Sequence, residues 1–317
     1  MGRKVTDQDF INLFMQHGAA EVARILGVSE RSIYKRRARL EESGGAEIPT
    51  KSEKNTRWAS QYPKRLPIEL KDGVAIIASD CHYWPDVITA GHRGMVELCK
   101  RLNPKLVVLN GDAFDAARAG RHPRIGWEES PTLKQEKEAV LDRTHEIIKA
   151  SPKAKHLWTL GNHDLRYESK LSANVPEMEG MPNTTLAELF PLWDFAVSAW
   201  INDSVVVKHR FKGGIHATHN NTLYAGKTIV TGHLHSLKVT PFSDYNGTRW
   251  GIDTGTLADP ASNTEGGPQF HYNEDNPQNH RSGFIVLTFK DGVLLWPEIC
   301  HAVDENNVSF RGELIKV

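Results

Sequence analysis

Three short apolar runs, 74–79, 106–109 and 157–160, each end in a cluster of oxygen- and nitrogen-bearing side chains: Asp80-Cys81-His82, Gly111-Asp112-Ala113-Phe114-Asp115 and Gly161-Asn162-His163-Asp164. Such clusters meet when the runs lie side by side in one direction, because the crevice outside the carboxyl ends of an open α/β sheet is where that sheet holds its site. Between the runs the apolar spacing changes to that of helices, at 88–102 and 131–149. The second is marked by Ser130 at its N-cap, Pro131 at its first position and Ser151-Pro152 beyond its end. The order is βαβαβ, and the class is α/β. Further strands are expected at 204–209, 228–231, 249–253, 283–289 and 293–297, with Asn246-Gly247 as a hairpin turn.

Two later segments add imidazoles: His209, at the end of one strand, and Gly232-His233-Leu234-His235, just after another. Carboxylates, imidazoles and one amide suit a pair of hard-to-borderline divalent metals. The cysteines do not form a competing framework. Cys81, Cys99 and Cys300 are odd in number and widely spaced without a CxxC pair, which argues against a secreted disulfide scaffold or a structural zinc finger. With no run of about 18 apolar residues and no apolar stretch near Met1, the expected location is cytoplasmic, with no membrane partner.

The chain carries 39 basic and 39 acidic side chains, but unevenly: its first 65 residues hold 13 Lys or Arg against 8 Asp or Glu, so the head is positive and the body negative. In that head Thr6 caps a first helix, Gly27 stands where a left-handed C-cap is needed, and Ser29 caps a last helix over 30–40. The last helix exposes Arg31, Lys35, Arg36 and Arg39, four cations able to neutralise phosphates. Gly18 to Leu40 resembles the helix-turn-helix of bacterial resolvases and small regulators, which implies DNA as a partner. The expected organisation is a helix-turn-helix domain over 1–43, a polar linker over 44–67 and a catalytic domain over 68–317.

The ordered set DxH, GDxxD, GNHD, H and GHxH resembles the calcineurin-like metallophosphoesterase superfamily. That resemblance implies an α/β/β/α sandwich and two divalent metals, manganese first among Mn, Fe, Ni, Co and Zn. It places Asp80, His82 and His235 on one metal, Asn162, His209 and His233 on the other, and Asp112 between them. A bridging water held as hydroxide near neutral pH would be the nucleophile. His163 is the implied catalytic imidazole, oriented by Asp164 or another acceptor, with Asp115 supporting its loop. His216 competes with His209 for the fourth motif and is otherwise a substrate contact.

Arg118, Arg121 and Arg166 are candidate substrate contacts, since guanidinium groups clamp phosphodiester oxygens. Trp250, with Phe270, His271 and Tyr272, offers either base stacking or packing, and Cys81 is expected to pack inertly. Asp115 is followed by Ala116-Ala117 rather than Arg-Gly, and the third motif ends in Asp164, which turns the resemblance from Ser/Thr protein phosphatases toward SbcD-type nucleases and small phosphoesterases of bacteria and bacteriophages. The expected activity is a phosphodiesterase or nuclease acting on DNA. The alternatives are a phosphomonoesterase or small-molecule phosphodiesterase, and a DNA-binding regulator with a vestigial body. Oligomeric state is left open.

Overall fold

A computed structural model describes residues 5–44, 48, 62–120, 130–260 and 279–317. It divides into two compact units, Met1–Tyr62 and Pro63–Val317.

In the first unit the helix Asp7–Leu26 begins where Thr6 accepts the Asp9 N–H, is broken at Gly18 (φ 78, ψ 170) and stops at Gly27 in the left-handed region. Ser29 Oγ accepts the Ser32 N–H at 3.3 Å at the start of Glu30–Gly44. Phe10, Phe14, Val22, Leu26 and Ile33 form the buried core of this unit. Arg36 is drawn to Asp7 (2.5 Å) and lies over the Phe10 ring, because an acidic residue in the first turn of the neighbouring helix reaches it; Arg39 is exposed but lies 3.5 Å from the same carboxylate, and Arg31 and Lys35 are exposed.

The second unit is built on two sheets. The larger runs in the order Glu313–Lys316, Asn307–Phe310, Glu298–Asp304, Gly283–Lys290, Gly73–Ala78, Leu106–Leu109, Lys155–Thr159 and Asp194–Ala196, with Val293–Leu294 paired to Gly283–Lys290. Its last four strands are parallel. The smaller runs Leu66–Ile68, Ala199–Ile201, Val205–Val207, Thr228–Thr231, Gly247–Asp253 and Lys238–Asp244. Alternate residues of the two sheets, among them Ala75, Ile77, Val108 and Leu157 from one and Ile201, Val207, Val230 and Ile252 from the other, form one core. The opposite faces take helices: Ala90–Leu102 on the larger sheet, with Leu133–Ala150 packed beside it, and Ala217–Ala225 on the smaller. Burial on both faces explains why these strands read as unbroken apolar runs.

Several boundaries differ from those expected. The long helix starts at Leu133, capped by Thr132 rather than Ser130, because Gln135 returns a hydrogen bond to the Thr132 N–H and closes a capping box. The end of the expected linker is a strand, since Leu66–Ile68 pairs with Ala199–Ile201. Pro67 is tolerated there because the strand lies on the sheet edge. Gly247 already pairs with Asp244, so the hairpin turns on Tyr245-Asn246.

Trp158 ties the larger sheet to the loops above it, fully buried against Phe190 (5.2 Å) and Phe195 (5.3 Å), with its indole N–H on Asp164 at 3.1 Å. Trp158→Ala is expected to cost about 3–5 kcal/mol, read as a lower urea midpoint at unchanged m-value.

Candidate metal centre

The parallel strands of both sheets deliver their chemistry to one edge. Asp80, His82 and His235 bring donor atoms within 4.8 Å of one another, and so do Asp112, His209 and His233. His209 stands between the two groups, with Nε2 at 3.0 Å from Asp112 Oδ2 and 3.9 Å from Asp80 Oδ1. Asp80, His82, Asp112, His233 and His235 all have positive φ, between 41° and 72°. Such backbone costs of order 1–3 kcal/mol per residue and persists only where the surroundings enforce it.

The surroundings do enforce it. Asp164 is fully buried, and its two oxygens accept five N–H groups: Asp112 and Gly161 at 2.8 Å, and Ala113, Phe114 and Trp158 at 3.1 Å. Burial and the neighbouring Asp112 push its pKa up to about 6. With five donors and no acceptor for a carboxyl proton, the carboxylate is nevertheless the form this loop is built around. At Gly161 a Cβ would fall on the Asp112 carboxylate, and at Gly232 on Ser79 and Asp80, so both motif glycines leave room for a carboxylate.

The donor set fits divalent metals. His209 Nδ1 lies 2.7 Å from the Asn110 carbonyl, which assigns the N–H to Nδ1 and turns the Nε2 lone pair toward the Asp112 carboxylate. Two lone pairs 3.0 Å apart repel unless a cation or a proton lies between them. In its absence the imidazole takes the proton: burial lowers the His209 pKa, but Asp80 and Asp112 outweigh it and push it up to about 9. Burial raises the Asp112 pKa too, and His209 and His163 overcome that to hold it near 2. Asn162 Oδ1 is buried without a hydrogen bond, a costly position for an amide oxygen that a cation relieves. Its neighbour His163 donates its backbone N–H to Asp112 Oδ1 at 2.7 Å.

The sequence over residues 74–246 matches the model of the calcineurin-like phosphoesterase family. The chain belongs to that family. No curated protein matches the sequence. Among solved structures, a single mutant of Vps29 from Entamoeba histolytica is similar at 15% identity, with 77% of this chain and 99% of that one covered and a TM-score of 0.39. The phosphoesterase Yfce from E. coli is similar at 15% identity over 71% of this chain and 97% of its own, with a TM-score of 0.32. A protein serine/threonine phosphatase from Saccharomyces cerevisiae is similar at 13% identity over 77% and 85%, with a TM-score of 0.37.

In this phosphoesterase His209 joins the donor clusters, while His216 is exposed at the start of the Ala217–Ala225 helix. Asp164 does not orient His163; its capacity is filled by the five N–H groups, so the expected catalytic role is replaced by one in holding the loops. Asp115 takes that place. It contacts His163 Nδ1, lies 3.6 Å from His82 Nδ1 and accepts from Arg166 at 3.1 Å. Burial would raise its pKa, and His163 and His82 hold it well below the carboxylate range. Arg166 also sets Nη2 2.9 Å from His163 Nε2.

Arg118 is exposed and donates twice to the Ser130 carbonyl, and Arg121 lies outside the described residues. Trp250 packs on the core and on Trp296, while Phe270, His271 and Tyr272 also lie outside the described residues. Cys81 is buried, and burial pushes its thiol well above the usual range, which suits inert packing. Sequence reasoning missed Glu136, a fully buried carboxyl that accepts the Ala117 N–H at 3.0 Å and so braces the loop after Asp115. Its only signal was an acidic residue one turn into a helix.

Asp164→Ala removes the acceptor for five buried donors and is expected to cost more than about 3 kcal/mol, seen as a fall in Tm with metal absent as well as present.

Proposed function

We propose that the chain is a dinuclear-metal phosphodiesterase that hydrolyses phosphodiester bonds in DNA, with its N-terminal helices holding the substrate nearby. The observation that carries this reading is His209, whose Nε2 faces carboxylates from both donor groups and so joins them into one centre. In this reading Asp80, His82 and His235 hold one cation, Asn162, His209 and His233 the other, and Asp112 serves both. Manganese is the first metal to test. Bound divalent cations supply Lewis acidity that polarises the phosphoryl group and generates a nucleophile from water near neutral pH.

The remaining work falls to side chains of the chain itself. Asp115 fixes the proton of His163 on Nδ1, so that Nε2 accepts from Arg166 Nη2 at 2.9 Å and lies 3.9 Å from Asp112 Oδ2, on the side of the candidate centre. From there an imidazole, once protonated, hydrogen-bonds a non-bridging oxygen or gives its proton to the leaving oxygen. Arg166 offers a guanidinium to the same phosphate. Fully buried Asp80 and nearly buried Asp112 keep their charges because imidazoles surround them, so the centre is preorganised before substrate arrives.

The head contributes by proximity. Arg31, Lys35 and Arg39 remain exposed on one helix, and a tethered phosphate-binding module raises the local concentration of DNA at the centre.

Two experiments test the reading. Asp112→Asn is expected to fold, to retain at least tenfold less Mn²⁺ by elemental analysis, and to lose more than a hundredfold in kcat on bis-p-nitrophenyl phosphate and on labelled DNA, as wild type does in EDTA. Turnover of p-nitrophenyl phosphate alone would move the chain to a phosphomonoesterase. Replacing Arg31, Lys35 and Arg39 together by Ala is expected to lower the slope of log K against log salt for duplex DNA by about 2 to 3. An unchanged slope would remove the head from DNA binding.

A further inference from the structure

From Ser204 to Ser243 the sequence holds no Asp or Glu, against five Lys or Arg. The stretch contains all three imidazoles that the smaller sheet delivers to the metal centre. Two of its cations are committed locally, Lys227 to Asp203 at 3.2 Å and Lys238 to the Ile215 carbonyl at 3.4 Å. Arg210 and Lys212 have no acidic partner among the described residues. Arg210 is exposed and follows directly on His209, whose Nε2 lies 3.0 Å from Asp112 Oδ2, and His233 is the exposed member of that donor cluster.

Aromatic rings alternate with these charges. Phe211 is 44% exposed with Lys208 Nζ 5.2 Å from its ring, and Tyr224, on the Ala217–Ala225 helix, is 64% exposed with Lys212 Nζ 3.5 Å above its face. Exposed aromatic side chains interleaved with cations match the two features a single strand presents, unstacked bases and a charged backbone. A duplex offers only the second, since its base faces are already stacked.

We infer that the surface carrying Arg210, Phe211, Lys212 and Tyr224 is a track that binds single-stranded nucleic acid and leads it to the metal centre. The inference rests on the phosphodiesterase reading above and names the form of its substrate. Phosphates meet Arg210 and Lys212, and bases stack on Phe211 and Tyr224. His216, exposed on the same loop, lies along this path.

The test uses the full chain carrying Arg31→Ala, Lys35→Ala and Arg39→Ala, so that the head does not dominate binding. Anisotropy of a labelled oligo-dT and of a duplex of equal length is measured against salt, before and after adding Phe211→Ala with Tyr224→Ala, or Lys212→Glu. Both rings are largely exposed, so an unchanged Tm is the folding control. The aromatic pair is expected to weaken oligo-dT binding by roughly tenfold or more per ring while changing duplex binding little. Lys212→Glu is expected to weaken it and to lower the salt slope by about 1 or more. Oligo-dT binding equal with and without the two rings overturns the track. Hydrolysis of bis-p-nitrophenyl phosphate by the wild-type chain, measured alongside, separates the two failures: turnover with unaltered oligo-dT binding sinks the track alone, and no turnover with any divalent metal sinks the phosphodiesterase reading, leaving the binding result to decide the track.

Discussion

Asp80 and Asp112 are carboxylates buried at the ends of adjacent parallel strands, with the His209 imidazole facing both. Two buried anions at such proximity are affordable only with cations or protonated imidazoles beside them, because removing a charge from water costs several kcal/mol even after relaxation. The rest of the second unit reads as the means of holding that arrangement. Motif glycines leave room for the carboxylates, and five residues around the site take left-handed backbone that no intrinsic preference favours. The Asp112 loop is held by the hydrogen bonds that converge on Asp164 above the buried Trp158, while the Asp80 N–H bonds to the Gly111 carbonyl, the His82 N–H to the Asp112 carbonyl and the His233 N–H to Asp80 Oδ2.

This division between chemistry and support follows from the topology. Parallel strands end at one edge, so residues just beyond the 73–78, 106–109 and 155–159 strands meet without any long excursion of chain. The smaller sheet repeats the device with its own parallel strands at 205–207, 228–231 and 247–253. The face-to-face core between the sheets sets the two edges opposite each other.

Most of the donor set was legible because its signal is local: an apolar run, then a ligand, with glycine where a carboxylate must approach closely. The roles of Asp115 and Asp164 were not. Both are carboxylates at the end of a motif, and only the direction in which each loop presents its side chain decides that Asp115 meets the His163 ring while Asp164 gathers backbone N–H groups. Thr132 and Ser130 are likewise interchangeable as caps until Gln135 selects between them. Strands of three residues such as Asp194–Ala196 and Ala199–Ile201 are too short for a period to register, and they form because neighbours already in place offer unpaired edges. The Arg36–Asp7 pair spans 29 positions, beyond the reach of any local pattern.

The two sheets also divide the charge. The larger supplies Asp80, Asp112, Asp115 and the loop-holding Asp164, and the smaller supplies the imidazoles His209, His233 and His235 from a stretch free of acidic residues, with Asp253 buried at the end of its Gly247–Asp253 strand. Asp115 is met by Arg166 and His163 and Asp164 by backbone and indole N–H groups, so in the proposed dinuclear reading Asp80 and Asp112 are the carboxylates that would ligate the cations. Two ligating carboxylates would leave a pair of divalent cations with net positive charge. A third ligating carboxylate would bring it closer to neutrality, strengthening the hold on metal while weakening attraction for an incoming phosphodiester. Imidazole and amide donors would hold cations without cancelling their charge, leaving the excess available for negative charge that accumulates on phosphoryl oxygens in a transition state. In the proposed reading, the composition of the centre is thus better matched to binding a phosphoester than to binding metal as tightly as it could.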